Sequence, residues 1–265
     1  MNEGVLPQRR GVEDPHPGVP QLLGQYGEVG EVGTRRQPAG ELEVGHVRRC
    51  SRRPTAPGRV DEKQTVAMPR ISPLPPKEWP QEYRAAMGAL RPPNQRHANM
   101  PTENRPRGLN VLGTLAHHPA LAQAFFTLNG HVLLATTLSE RQRELIIMRV
   151  AAVRKSGYEW AQHLFVARDV GLTDEEIGRI GYGPDAPFWS ELDAALLRAV
   201  DELIVDARIA QPTWDALVAG LDTQQVLDLI CTVSAYDTLA RIFNSLEVDI
   251  DDDIGELMGR YDELF

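Results

Sequence analysis

From Met68 onward, apolar and polar residues recur with the period of a helix, and no stretch shows the strict alternation of a strand. Residues 71–80 are Pro-rich and read as an extended lead. Residues 80–90 read as a short helix with Tyr83, Met87 and Leu90 inward. Residues 91–108 form a long polar, Pro-rich loop, of a length often used for lids or interface segments. Helices are predicted over 109–117 and 119–134, with Pro119 suited to a first helical turn. Further helices are predicted over 174–180, opened by the capping pattern Thr173-x-x-Glu176, over 188–207 and over 212–221. The longest spans 223–246, with Val226, Leu229, Ile230, Val233, Leu239, Ile242 and Phe243 as its core stripe. The last residues, 249–265, form an acidic tail with room for one amphipathic turn.

The most informative stretch is 139–171. Ser139 and Gln142 make a capping box ahead of an apolar run in which Leu145, Ile146, Met148, Ala151 and Ala152 fall on helical spacing. Lys155-Ser156-Gly157 breaks this helix. A second helix then runs from about Tyr158 to Val170, with Gly171 placed to end it. Glu159 and His163 are four residues apart and share a face of it. Glu144 stands on the preceding helix. A hairpin turning near Ser156 leaves Glu144 and His163 offset by about five residues, roughly 7–8 Å at helical rise.

These residues carry a resemblance to the carboxymuconolactone decarboxylase superfamily, which includes the AhpD-type alkylhydroperoxidases. The peroxidase pattern is Glu, eleven residues, Cys-x-x-Cys, three residues, His. Glu144, Ser156, Glu159 and His163 occupy those four positions, so the Glu and His match and both cysteines are absent. The decarboxylases share the other half of the motif, Glu-x-x-x-His, here Glu159 to His163. The resemblance implies an all-α, AhpD-like helical bundle built around the hairpin, with no cofactor and no metal. It also implies assembly into a homo-oligomer such as a dimer, trimer or hexamer. Apolar faces at 120–134 and 226–243 point the same way.

Composition divides the chain. Residues 1–67 hold ten Gly and seven Pro and are close to neutral, whereas 68–265 carry ten more acidic than basic residues. The first segment reads as a disordered leader or an over-extended start, with a basic regulatory arm as the rival, and 68–265 as the helical domain. A net charge of −9 argues against nucleic acid and anionic membranes as partners. No run approaches the ~20 apolar residues of a membrane span. Cys50 and Cys231 form neither a CxxC pair nor a zinc spacing, so a cytoplasmic location is expected, with Cys231 an inert core thiol. No GxGxxG or P-loop pattern is present.

The expected chemistry is that of a carboxy-lyase acting on a carboxylated lactone or keto acid. His163 would be the acid/base, with Glu159 orienting it and Glu144 completing a relay. Ser156, Tyr158 and Trp160 are the expected substrate-binding residues, and Arg149 or Arg168 the cation for the substrate carboxylate. Each has a plainer reading: Glu159 and His163 as an exposed i,i+4 pair, Glu144 as an acid favoured by a helix dipole, Ser156 as an N-cap, His131 as a satisfied core histidine. Two other functions compete. Membership could bring an AhpD-type peroxidase (peroxiredoxin) activity, which the missing cysteines oppose, or the protein could be a non-catalytic helical oligomer that binds a small acid.

Overall fold

Helix α4 (Glu140–Arg154) is the element against which the others pack. A computed structural model describes residues 68–102, 105–252 and 254. The chain divides into Met1–Val60 and Asp61–Phe265, and every described residue belongs to the second unit. The expectations for 1–67 lie outside the described residues, as does most of the acidic tail.

Before α4 come α1 (Gln81–Ala86), α2 (Leu109–Leu115) and α3 (Pro119–Gly130). After it come α5 (Gly157–Asp169), α6 (Asp174–Tyr182), α7 (Glu191–Asp206), α8 (Gln211–Gly220) and α9 (Thr223–Leu246). No strand occurs among the described residues. The fold is the expected all-α bundle, and α4 touches α5, α6, α7 and α9.

Local chemistry sets α4 in place. The Ser139 hydroxyl accepts from the Gln142 amide at 3.2 Å, and Gln142 Oε1 accepts from the Ser139 amide at 2.9 Å. That satisfies two of the helix's orphan donors. At the other end Lys155, not glycine, adopts the left-handed conformation, with φ 51°. The Ser156 amide reaches back to the Ala151 carbonyl at 2.9 Å, so the six-to-one bond of a Schellman end forms without glycine. Gly171, with φ 88°, ends α5 as expected.

Leu145, Ile146, Ile147, Met148, Val150 and Ala151 are all fully buried, so α4 is covered nearly all round. One side, through Ile146, Ile147 and Val150, joins the core made with α7, α8 and α9. The other, through Leu145, Met148 and Ala151, joins Trp160, Leu164, Ile177 and Ile180 of α5 and α6. Each of these larger side chains contributes about 1.5–3 kcal/mol by leaving water. A third cluster gathers Tyr83, Leu115, Ala122 and Phe126 from α1, α2 and α3.

Three expectations change. The predicted helix over 119–134 is α3 followed by a wider π-turn, His131–Ala135. His131 is half exposed and bonds Asp228 Oδ1 at 2.7 Å rather than sitting in the core. Cys231 is exposed, on the side of α9 that also carries the exposed Leu227 and Ser234.

Gly130 explains how α3 meets the chain before it. A Cβ there would lie 2.5 Å from the Ala89 carbonyl oxygen, so the two backbones touch only because the residue is glycine. No helix of the described residues is long and apolar enough to cross a membrane. Leu121 and Leu128 of α3, Trp214 and Val218 of α8 and Leu227 of α9 stay exposed.

Candidate active site

The hairpin α4–α5 closes the predicted gap between Glu144 and His163. His163 Nδ1 lies 2.7 Å from Glu144 Oε2. A carboxylate only accepts, so Nδ1 carries the proton and Nε2 is the nitrogen left for other work. Glu144 is completely buried and its other oxygen, Oε1, accepts from Arg143 Nε at 2.8 Å. Arg143 is buried as well, and its Nη1 donates to the Leu133 carbonyl at 2.5 Å. Burial pushes the Glu144 carboxyl up, but the charges and hydrogen bonds of His163 and Arg143 together outweigh it and hold the group below its ordinary value.

His163 forms part of the wall of a cavity of about 270 Å³. Most of that wall is apolar, with Phe125, Phe126, Phe165, Leu239 and Phe243 among its residues. Tyr236 of α9 stands edge-on to the imidazole, ring centroids 5.0 Å apart. Its hydroxyl is pushed well above the usual tyrosine range by burial and then by Glu144 and Glu159. The polar loop 91–108 contributes Met100, Pro101, Arg105 and Pro106 to the wall.

Glu159 is also on the wall and 1% exposed, but it does not hold His163. Neither of its carboxyl oxygens has a hydrogen-bond partner. The i,i+4 spacing places both side chains on one face, yet the imidazole turns across the hairpin to the carboxylate that Arg143 fixes. Burial, and then the negative charge of Asp237, push the Glu159 carboxyl well above its ordinary value.

The expected binding residues separate. Tyr158 is on the wall, but its hydroxyl donates to Asp251 Oδ2 at 2.8 Å and accepts from the Val111 amide at 3.2 Å. Gln162, also on the wall, donates to the same Asp251 oxygen at 2.6 Å. Ser156 and Trp160 are fully buried away from the cavity, Trp160 within the α4–α5–α6 core. Motif spacing marks their place along α5 but not which way they face. Arg149 is taken up by Asp201, at 2.7 and 2.8 Å, and Arg168 by Asp174 at 2.8 Å. The cation on the wall is Arg105, which is paired with Asp169. Arg143 was not predicted; the available signal was a charged residue inside the apolar run of α4, which must be paired if buried.

Residues 119–202 match the carboxymuconolactone decarboxylase family. That stretch contains Glu144, Arg143, Glu159 and His163. The stretch that holds the candidate site is thus similar to the carboxymuconolactone decarboxylase family.

Solved structures resemble the chain at low identity. The apo debrominase Bmp8 is 16% identical, with 74% of this chain and 97% of that one covered and a TM-score of 0.56. A variant of Bmp8 in complex with 2,3,4-tribromopyrrole is also 16% identical, over 74% and 97%, with a TM-score of 0.55. An uncharacterized peroxidase-related protein from Ralstonia eutropha, described as an alkylhydroperoxidase AhpD core, is 18% identical over 61% of this chain and 95% of that one, with a TM-score of 0.49. No curated protein matches the chain in sequence.

Proposed function

We propose that the protein is a carboxy-lyase that removes CO2 from a small carboxylated lactone or keto acid by acid–base chemistry. The observation that supports this most is His163, fixed at Nδ1 by the buried Glu144 and placed on the wall of a largely apolar cavity. Loss of CO2 leaves an electron pair on carbon, conjugated to a carbonyl as an enolate. The catalyst's task is then to bring a proton to that carbon near neutral pH, which suits an imidazole. An apolar wall helps, because a localised carboxylate is less comfortable there than the delocalised charge that replaces it. The reaction drawn this way needs no cofactor.

Glu144 and Arg143 are positioning residues in this reading, since they act through the imidazole. A thiol peroxidase is the weaker reading, because Ser156 and Glu159 stand where its two cysteines would be. A cytoplasmic enzyme and a homo-oligomer go with the proposal, the latter supported by the exposed apolar residues of α3, α8 and α9.

The test is CO2 release from a panel of carboxylated lactones and keto acids. Turnover of at least one is expected, together with a loss of about 10²–10⁴-fold in His163→Gln at unchanged helix content. Absence of CO2 from every member, or full turnover in His163→Gln, would overturn the assignment.

A further inference from the structure

We infer that Glu159 works as an uncharged carboxylic acid that donates a hydrogen bond to a carbonyl of the substrate, and that the substrate carries a single carboxylate. This deepens the proposed function and rests on it for the reaction, though not for binding.

The first support is the state of Glu159 itself. It is an acid in the cavity wall with 1% exposure and two unpartnered oxygens. A buried carboxylate without a cation or donors is costly, whereas the neutral form needs only an acceptor for its O–H. The groups around it do not favour ionisation. From α9 come Tyr236 and Asp237, the latter already paired with Arg154 and Arg241. From α4 comes Glu144, matched to Arg143, and on α5 itself His163, which is turned to Glu144. The acceptor missing from the protein is one a ligand can bring.

The second support is the charge inventory of the wall. Arg105 is neutralised by Asp169, and Glu144 spreads its charge between Arg143 and His163. Among the described wall residues, a protonated His163 is therefore the cation left to meet an anion. One substrate carboxylate fits against Nε2, and a second would face an apolar wall or Glu159. A cavity of about 270 Å³ suits one ring with short substituents, given that a 150 Å³ cavity accepts benzene.

The two groups then act on one substrate. The carbon–carbon bond to the carboxylate breaks, its electron pair moves into the ring to form the enolate, and CO2 leaves. The carbon that bore the carboxylate is left facing His163, whose Nε2 proton passes to it, and the imidazole is recharged from water. Glu159 keeps its proton throughout and hydrogen-bonds the oxygen on which the charge gathers.

Binding by calorimetry, with no turnover, tests this. The probes are 3-oxocyclohexanecarboxylate, cyclohexanecarboxylate and cis-cyclohexane-1,3-dicarboxylate. The oxo acid is expected to bind at least tenfold tighter than the dicarboxylate. Glu159→Leu should weaken the oxo acid about tenfold and leave cyclohexanecarboxylate unchanged. Glu159→Gln keeps a donor, so it should retain most of the oxo acid's affinity where Glu159→Leu does not. Equal affinity for mono- and dicarboxylate, or equal weakening of both monocarboxylates by Glu159→Leu, would overturn the inference. Expected binding without CO2 release from the wider panel would overturn only the proposed reaction.

Discussion

Arg143 and Glu144 are neighbours in sequence whose side chains turn to each other inside the protein, Nε to Oε1 at 2.8 Å, with both residues buried. Consecutive residues on a helix point about 100° apart, so this contact needs long side chains and a common destination. The destination is the gap between α4, α5 and the π-turn, where Arg143 also meets the Leu133 carbonyl and Glu144 meets His163.

Removing the cation should therefore harm more than the charge balance. Arg143→Met is expected to destabilise the protein by about 3–5 kcal/mol, because Glu144 is left buried without its partner. Denaturant unfolding measures this, and a loss within about 0.5 kcal/mol would show that the pair contributes little.

Glu144 should mark the acid side of the stability profile. Its carboxyl is held below the ordinary 4.5, so the unfolded chain takes up its proton first as pH falls. The stabilisation is complete above 4.5 and is lost on going down through the folded value. Glu144→Gln should be less stable than wild type at pH 7, with the difference shrinking towards pH 3 in thermal melts. A constant difference would argue against an ionised Glu144.

Glu159 should behave with the opposite sign. Its carboxyl is raised above 4.5, so the folded state holds the proton more tightly and stability falls as pH climbs from 4.5 towards the folded value. Glu159→Gln should gain melting temperature over wild type between pH 5 and pH 8 and show little gain at pH 4. An unchanged gap across that range would mean that Glu159 is not a buried neutral acid.

Gly130→Ala tests the crossing of α3 with the chain at Ala89. The new methyl would meet a backbone carbonyl at 2.5 Å, and backbone cannot swing aside as a side chain can. A loss of about 1–3 kcal/mol or more is expected, read from chemical denaturation, and a neutral result would mean that the two segments part freely.

Thiol chemistry should be dispensable. Replacing Cys50 and Cys231 by Ala is expected to leave turnover unchanged, and the wild type should consume no peroxide in a thiol-dependent manner. Peroxide consumption that alkylation abolishes would reverse this.

The hairpin and the long α9 were legible because capping boxes and helical period agree there. Glu144 and His163 were legible as a pair through motif spacing alone, since the five-residue offset becomes a 2.7 Å contact only through side-chain reach. Which of the two carboxylates, Glu144 or Glu159, holds the imidazole was not legible. The sequence places Glu159 one turn away on the same face, and nothing in that spacing reveals that Arg143 pre-sets the other carboxylate. Ser156 and Trp160 share the motif's neighbourhood but point into packed protein, a matter of rotation about α5 that a nearly all-round apolar helix does not encode.

Leu133 and Leu134 lie in the last turn of the helical segment that ends at Ala135, where carbonyls lack partners within the helix, and both are taken. Leu133 accepts from Arg143, and Leu134 accepts from the amides of Arg96 and His97. One helix end thus supplies the socket for the residue behind the imidazole and the mooring for the loop beside the cavity. Residue count in this turn is consequently a constraint in its own right. A sequence one residue shorter between Gly130 and Thr136 would keep every side chain of the site and still lose it, since both carbonyls would turn away from Arg143 and from the loop.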